Sequence, residues 1–247
     1  MDLRERRDAV GRHPWEVVRS RAYRRLLAQH VPVATVDRVL DVGAGDGWFA
    51  EQLCADLTAG ADVVCWDTNY GPAELDAGDG RGVHRTATRP DGLFDVVFAL
   101  DVLEHVEDDE GLLADAIVPA LSPGGTAILS APAHPLLFSD HDRMLQHVRR
   151  YRPAALFQLV GRHLDVVATG SLFTTLVPPR AVDVALQHLG RSKDAEGAGS
   201  WSHGPALTRA VTSVLELDAT TGLALARRGL RLPGLSAWVV AKAWAGS

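Results

Sequence analysis

The stretch Arg38-Val-Leu-Asp-Val-Gly-Ala-Gly-Asp-Gly-Trp-Phe-Ala-Glu-Gln-Leu53 decides the fold of this 247-residue chain. Val39, Leu40 and Val42 form a short apolar run beside glycines, which is typical of a strand buried on both faces of a parallel sheet. The glycines that follow permit positive φ angles and close approach of a ligand to the backbone. Apolar residues then recur at helical spacing from Trp48. The stretch predicts a strand, a glycine turn and the amino end of a helix.

The spacing of the glycines argues against a dinucleotide ligand. The dinucleotide fingerprint Gly-x-Gly-x-x-Gly needs its third glycine where this chain has Trp48. Asp41 precedes the turn and Asp46 lies inside it, and two carboxylates would repel a pyrophosphate. They favour a ligand that is cationic or that offers amine and hydroxyl donors.

Composition limits the class of protein. The chain is 47% hydrophobic and 23% charged, enough for one sizeable core. No run approaches the roughly 18 apolar residues that span a bilayer, and the amino terminus lacks the apolar core of a signal peptide, so we expect a cytoplasmic protein with no membrane partner. The net charge of -6 disfavours a nucleic-acid partner. We expect Cys54 and Cys65 to be buried thiols.

Further strands end in carboxylates. Residues 61–67 predict a second buried strand, and Asp67 lies 20 positions (67 - 47) after the last glycine of the turn, where an acidic residue accepts from ribose hydroxyls. Residues 94–106 repeat the pattern, with an apolar run, Asp101 and a predicted helix. A helix, a Ser-Pro-Gly-Gly turn and the strand Thr126–Ser130 follow. The alternation predicts a parallel sheet with right-handed crossovers.

These motifs resemble those of the class I S-adenosylmethionine (SAM)-dependent methyltransferases, methyltransferase type 11-like, small-molecule branch. The glycine turn is similar to motif I of that family, Asp67 to motif II, and Asp101-Val-Leu-Glu-His-Val106 to motif IV. The phrase Leu121-Ser-Pro-Gly-Gly-Thr126 is typical of the family, and the resemblance spans residues 36–135. It implies an α/β fold with a Rossmann-like, doubly wound, seven-stranded and mostly parallel sheet, the last strand antiparallel and helices on both faces.

The resemblance also implies that SAM is the cofactor. The residues expected to bind it are Asp41, Gly43, Ala44, Gly45, Asp67, Thr68, Leu100, Asp101 and Val102. The acidic residue that often contacts adenine in the family is missing after the predicted third strand. Adenine recognition then falls to backbone groups or Thr88.

The loop after Ser130 borders the expected pocket, because ligands of open parallel sheets bind outside the carboxyl ends of the strands. Three interpretations are open. A histidine, His141 or His147 before His134, acts as a general base. Alternatively, Asp140, His141, Asp142 and His147 bind a divalent metal. In the third interpretation Asp142 pairs with Arg149 or Arg150 and the loop is structural.

We take the three histidines as the catalytic candidates and expect no metal. The substrate candidates are Trp15, Tyr23, His105, Arg149, Arg150 and Tyr151. The first two lie on an amphipathic helix over residues 13–30, which either covers the SAM pocket, as in many relatives, or packs on the sheet as an ordinary helix. The arginine pair would hold a carboxylate or phosphate of the substrate.

We expect one methyltransferase domain over residues 1–247, with lid helices at 1–35, a SAM-binding core at 36–173, a helical insertion or cap at 174–230 and a final strand at 231–247. The insertion contains predicted helices at Val182–Leu189, Leu207–Leu217 and Leu223–Leu230 and a Gly/Ser-rich loop at Arg191–Gly204. In the family such insertions form a substrate cap or a dimer contact, so a homodimer is one expected assembly.

The expected function is SAM-dependent methyl transfer to a small-molecule acceptor, with O-methylation favoured over N- or C-methylation. Of the 25 basic residues all but Lys193 and Lys242 are arginines, which indicates a high-GC bacterial genome. The expected acceptor class is a bacterial secondary metabolite or a sugar-like intermediate. The alternatives are a protein of this fold that binds SAM without transferring methyl, such as a cyclase or scaffold, and an RNA or protein methyltransferase.

Overall fold

The computed structural model describes residues 12–76, 82–190 and 201–244. The helices are α1 Pro14–His30, α2 Trp48–Cys54, α3 Pro72–Leu75, α4 Asp109–Gly111, α5 Asp140–Met144, α6 Pro153–Gly161, α7 Val177–His188 and α8 Pro205–Ala226. The strands are β1 Arg38–Val42, β2 Asp62–Trp66, β3 Val83–Thr86, β4 Phe94–Leu100, β5 Leu121–Pro132, β6 Asp165–Leu172 and β7 Ser236–Lys242. A π-helical turn at Leu112–Ile117 and a 3-10 turn at Val118–Ala120 continue α4.

The strands form one seven-stranded sheet in the order β3-β2-β1-β4-β5-β7-β6. The first five strands in this order are parallel to one another. Strand β7 lies between β5 and β6 and is antiparallel to both. The predicted doubly wound sheet with an antiparallel last strand is confirmed. Because the chain leaves β1 towards β2 and later returns to β4 on its other side, the carboxyl ends of these three strands flank a topological switch point.

Both faces of the sheet are covered, as successive residues of β1 illustrate. Val39 belongs to a core cluster that includes side chains of α1, α2 and α8. Leu40 belongs to a second cluster that includes the helical segment after Asp109 and α6. Alternate residues of a strand point to opposite faces, so a continuous apolar run is required where both faces are buried.

Several predicted elements differ in the structure. The helix expected after Asp101 is only a 3-10 turn at Leu103–His105, and the Ser-Pro-Gly-Gly turn lies within β5, beside a register shift against β4. The two helices predicted at Leu207–Leu217 and Leu223–Leu230 are one helix, α8, which continues through Gly222. A Cβ at Gly222 would lie 3.1 Å from the carbonyl oxygen of Ser171, so this glycine permits close packing of the helix on β6.

Part of the predicted loop Arg191–Gly204 cannot be compared, because residues 191–200 lie outside the described residues. Among the helices in the described ranges, none has both the length and the hydropathy needed to cross a membrane.

Candidate functional site

The glycine turn after β1 is fixed against the end of β2. The backbone N–H groups of Gly43 and Ala44 donate to the carbonyl oxygen of Trp66, at 2.7 and 3.3 Å. Gly43 has φ +64°, and a Cβ there would lie 2.6 Å from Cγ2 of Val102, the second residue after β4. Because an L side chain meets both a steric contact and an unfavourable φ at this position, only glycine fits it without strain.

Asp67 follows β2 directly, and its carboxylate connects the turn after β2 with the glycine turn after β1. Its side chain is 8% exposed. Oδ2 accepts a hydrogen bond from the backbone N–H of Gly45 at 2.9 Å, and Oδ1 accepts from the backbone and side-chain nitrogens of Asn69 at 2.9 and 3.0 Å. A carboxylate has about four acceptor sites, so these three bonds leave room for a ligand hydroxyl.

Asp101 follows β4 in a backbone conformation that is rare for a residue other than glycine, with φ +58°. Its N–H donates to the carbonyl oxygen of Ser130 at 3.0 Å, and its Oδ1 accepts from Ser130 Oγ at 2.8 Å. Its Oδ2 pairs with the guanidinium of Arg19 on α1, which lies over the Trp15 ring. Such strained positions cluster at ligand sites, and here the pairing holds α1 against the carboxyl edge of the sheet.

A cavity of about 660 Å³ opens at this edge, within the size range of small-molecule pockets. One side of it, the cofactor wall, contains seven of the predicted SAM-binding residues: Gly43, Gly45, Asp67, Thr68, Leu100, Asp101 and Val102. Thr88 is not among the lining residues, and its backbone and hydroxyl groups bond to Thr86.

The other two predicted SAM-binding residues, Asp41 and Ala44, line a cleft of about 40 Å³. This cleft shares Glu16, Arg19, Gly43 and Leu100 with the large cavity. Burial raises the pKa of the Asp41 carboxyl to about 7. At neutral pH about half of this carboxyl is therefore protonated. A cation bound beside it favours the ionised form and displaces the proton.

A second set of residues lines the same cavity, and we call this set the acceptor wall. The predicted residues that line it are Trp15, His105, His141, His147 and Arg150. Sequence reasoning gave no role to several further lining residues of the cavity, among them His13, Glu16, Asn69, Leu176 and Arg180. No local sequence pattern indicates Arg180, because its partner Asp142 lies 38 residues earlier in the chain.

Asp142 is the centre of a buried ionic cluster in the acceptor wall. Its Oδ1 accepts from Arg150 Nε at 2.8 Å and lies 3.0 Å from His147 Nδ1. Its Oδ2 accepts from Arg180 Nη2 and from the backbone N–H of Ser139, both at 2.8 Å. Burial opposes ionisation of Asp142, but the His147 hydrogen bond and the two arginines outweigh it and hold the pKa of this carboxyl below its usual range.

The cluster bears on two of the sequence interpretations. Asp142 pairs with Arg150, as the structural interpretation expected, and also with Arg180. The metal set that includes Asp140 is not assembled, since Asp140 is 65% exposed and pairs with Arg143, while the oxygens of Asp142 are occupied by the arginines.

The three catalytic candidates occupy different positions. His141 lines the cavity, and burial, together with Arg180, lowers its pKa. Its imidazole is therefore neutral near pH 7, the form that a general base needs. His147 lines the cavity in edge-to-face contact with His105, with ring centroids 4.6 Å apart. His134 has φ +63° and is not among the lining residues.

Three substrate candidates lie away from the large cavity. Tyr23 is fully buried and borders only the small cleft. Arg149 donates to Asp109 at 2.8 Å and to the carbonyl oxygen of Glu107 at 2.7 Å. The hydroxyl of Tyr151 donates to Asp109 at 2.5 Å. Neighbouring side chains of this extended segment point to opposite sides, so Arg150 contacts the cluster while Arg149 and Tyr151 anchor the loop to α4.

The sheet order, the glycine turn and the acidic strand ends define a class I SAM-dependent methyltransferase. The model of a family described as "Methyltransferase domain" matches residues 15–171, and the chain belongs to this family. Its cofactor is SAM.

Curated relatives match part of the chain. The ubiquinone biosynthesis O-methyltransferase of Psychrobacter cryohalolentis is 35% identical over 106 residues, 38% of this chain and 40% of that protein. The protein of the same name from Pectobacterium carotovorum subsp. carotovorum is 33% identical over 104 residues, 38% of this chain and 42% of that protein. The matched segments thus span less than half of either relative.

Solved structures match nearly the whole chain at low identity. The [4+2]-cyclase SpnF has a TM-score of 0.58 and 17% identity and covers 98% of this chain and 86% of its own. A putative sarcosine dimethylglycine methyltransferase from Galdieria sulphuraria has a TM-score of 0.55 and 16% identity and covers 93% of this chain and 86% of its own. At these identities the likeness establishes the fold.

Proposed function

We propose that this protein transfers the methyl group of SAM to a small-molecule acceptor, with oxygen the favoured methyl acceptor, as a cytoplasmic enzyme of bacterial secondary metabolism. One observation carries the proposal. A single cavity has the SAM motifs on one wall and a set of titratable and cationic side chains on the other. The O-methyltransferase names of the curated relatives favour oxygen.

The cofactor wall suits SAM in shape and in charge. The turn at Gly43 and Gly45 leaves the backbone open to the amino-acid part of the ligand. Asp67 offers acceptor sites for the ribose hydroxyls, and Asp41 attracts a cation. Bound SAM supplies an electrophilic methyl group on a sulfonium centre. Leu100 and Val102 give the apolar surface on which the rest of the ligand packs.

The acceptor wall positions and deprotonates the acceptor. His141, which is neutral at pH 7, removes the acceptor proton. Arg150 and Arg180 orient the acceptor. Their ion pairs with Asp142 fix the loop that carries Asp142. In this proposal α1 is the lid, through Trp15, and the insertion at 174–230 is the cap, through Arg180.

A small acceptor agrees with the dimensions of the cavity. Its volume of about 660 Å³ must hold both cofactor and acceptor, and small-molecule pockets measure about 300–1,000 Å³. Side chains of α1 and Arg180 of α7 also line it. A folded RNA or protein needs a wider approach, and the net charge of -6 disfavours RNA.

The test is turnover with methyl-labelled SAM. The chain is incubated with fractions of a bacterial small-molecule extract, with total RNA and with protein lysate, and S-adenosylhomocysteine is measured beside the labelled product by mass spectrometry. We expect label in one small-molecule fraction, in equal amount to S-adenosylhomocysteine. Label in RNA or protein would contradict the proposal. SAM binding without turnover in any fraction would instead favour a non-methylating role; one structural neighbour, SpnF, is a [4+2]-cyclase.

A further inference from the structure

Glu104 is a buried carboxyl group whose role the cofactor and acceptor assignments leave unexplained. It is 0% exposed and borders the large cavity. Neither of its carboxylate oxygens has a hydrogen-bond partner among the described residues. The nearby arginines are engaged elsewhere, Arg19 with Asp101 and Arg150 with Asp142. A buried carboxylate without a partner is costly, so a cationic or donor ligand is expected beside it.

Two histidines are close enough to share such a ligand with Glu104. One ligand atom each from Glu104, His105 and His147 can be chosen so that all three lie within 4.8 Å of one another. Ligands about 2.1 Å from one ion lie about 3–4 Å apart, so a small side-chain movement would close the set around a cation. All three residues line the cavity.

Asp142 orients the imidazole ring of His147 in the way that a carboxylate commonly orients a metal-binding histidine. Its Nδ1 lies 3.0 Å from Asp142 Oδ1, and the carboxylate can only accept, so Nδ1 is the donor of this bond and Nε2 is the ring nitrogen left for a metal ion. Imidazole ligands are commonly oriented by a carboxylate in this way. The backbone N–H of Val148 donates to the carbonyl oxygen of Glu104 at 2.8 Å, which joins the two segments.

We infer that Glu104, His105 and His147 bind one divalent transition-metal ion, such as Zn²⁺, Mn²⁺, Fe²⁺ or Co²⁺, in the acceptor wall. Two imidazoles and one carboxylate suit these ions better than Mg²⁺ or Ca²⁺. Three protein ligands leave coordination positions open towards the cavity for an oxygen donor. The site departs from the sequence expectation of no metal and uses only His147 of the set considered there.

The ion would act on an acceptor hydroxyl bound at the open position. Coordination lowers the pKa of that hydroxyl, so its proton passes more easily to water or to His141. This role rests on the proposed function, whereas the metal site itself does not.

The test is metal binding by the full chain without SAM. The chain is stripped with a chelator and titrated with Co²⁺, followed by visible absorption, and with Zn²⁺, followed by calorimetry. We expect one site per chain, and at least about tenfold weaker binding in Glu104→Gln and in His147→Gln, the loss that even an outer-shell change causes. His163→Gln is the matched control. His163 Nε2 lies 3.1 Å from a carboxylate oxygen of Glu110, and His163 is not among the residues that line the cavity. It should keep full affinity.

Binding of S-adenosylhomocysteine by the metal-free samples shows that each variant is folded and tests the cofactor site separately. No stoichiometric site in the wild-type chain, or equal affinity in Glu104→Gln, His147→Gln and wild type, would overturn the inference even if methyl transfer is demonstrated.

Discussion

The two walls of the cavity are built in different ways. The cofactor wall consists of turns that follow three adjacent strands, β1, β2 and β4, and is joined mainly by backbone groups. The acceptor wall consists of side chains from α1, the 3-10 turn at Leu103–His105, the loop after β5 and α7. It is joined by ion pairs such as Asp142–Arg180. A wall of backbone turns is specified by local sequence, whereas a wall of distant side chains depends on how the whole chain packs.

The largest effect is expected from a change at the glycine turn. Gly43→Val places a β-branched side chain at φ +64° and against Val102, and the turn must shift. We predict that SAM affinity falls by more than about 100-fold, which corresponds to about 2.7 kcal/mol, measured by calorimetry.

Gly190→Ala is the control for that experiment. It has nearly the same φ, +65°, but its added Cβ meets nothing within 4 Å. It should cost about 1 kcal/mol of stability through backbone strain and leave SAM affinity unchanged. Equal SAM affinity in Gly43→Val and wild type would show that the turn is not the cofactor site.

The second prediction concerns the ionic cluster. Asp142→Asn leaves Arg150 and Arg180 without their buried partner, so we expect the free energy of unfolding to fall by about 3 kcal/mol in urea titrations at pH 7. Because the native pKa of Asp142 is depressed, this contribution is present above the unfolded pKa of about 3.9 and is lost as pH falls below it.

Asp140→Asn provides the matched comparison two residues away. Its partner Arg143 is as exposed as Asp140 itself, so the loss should stay within about 0.5 kcal/mol. SAM affinity should change less than about threefold in either variant if the walls are energetically separate. A large loss of SAM affinity in Asp142→Asn would contradict that separation.

The third prediction is a pH dependence of SAM binding, set by Asp41 in the small cleft that adjoins the cofactor wall. The raised pKa of Asp41, about 7, means that a bound cation must displace its proton below that pH. SAM affinity should therefore rise about tenfold between pH 6 and pH 8. Asp41→Asn should remove the dependence, and an unchanged pH profile in that variant would assign the proton to another group.

The smallest effect is expected from Arg149→Ala. Arg149 bonds to Asp109 and Glu107 at the partly exposed edge of the loop, so we expect at most about 1 kcal/mol of lost stability and an unchanged Michaelis constant for the acceptor. Arg150→Ala, which removes a cavity-lining partner of Asp142, is the comparison. A raised Michaelis constant in Arg149→Ala alone would restore the substrate role predicted from the sequence.

The same contrast explains what the sequence could predict. Asp67 and Asp101 were recognised because they follow apolar runs at family spacing, and the sheet brings those strand ends together. Arg180 was missed because only packing of α7 brings it to Asp142, 38 residues earlier. The sequence predicts a substrate role for Arg149 and Tyr151, but both side chains bond to Asp109 instead. The composition of the segment predicts a loop near the pocket, but it does not predict which of its side chains point into the pocket. The sequence predicts two helices within residues 207–230, whereas the structure has one helix that continues through Gly222, where the helix packs closely on β6.

The most direct test of the cofactor site is a crystal structure of the chain with S-adenosylhomocysteine. We predict that the ribose hydroxyls donate to Asp67 and that the amino-acid part lies against the turn at Gly43 and Gly45. A ligand bound elsewhere, or a cavity that stays empty at saturating ligand, would contradict the assignment of this wall.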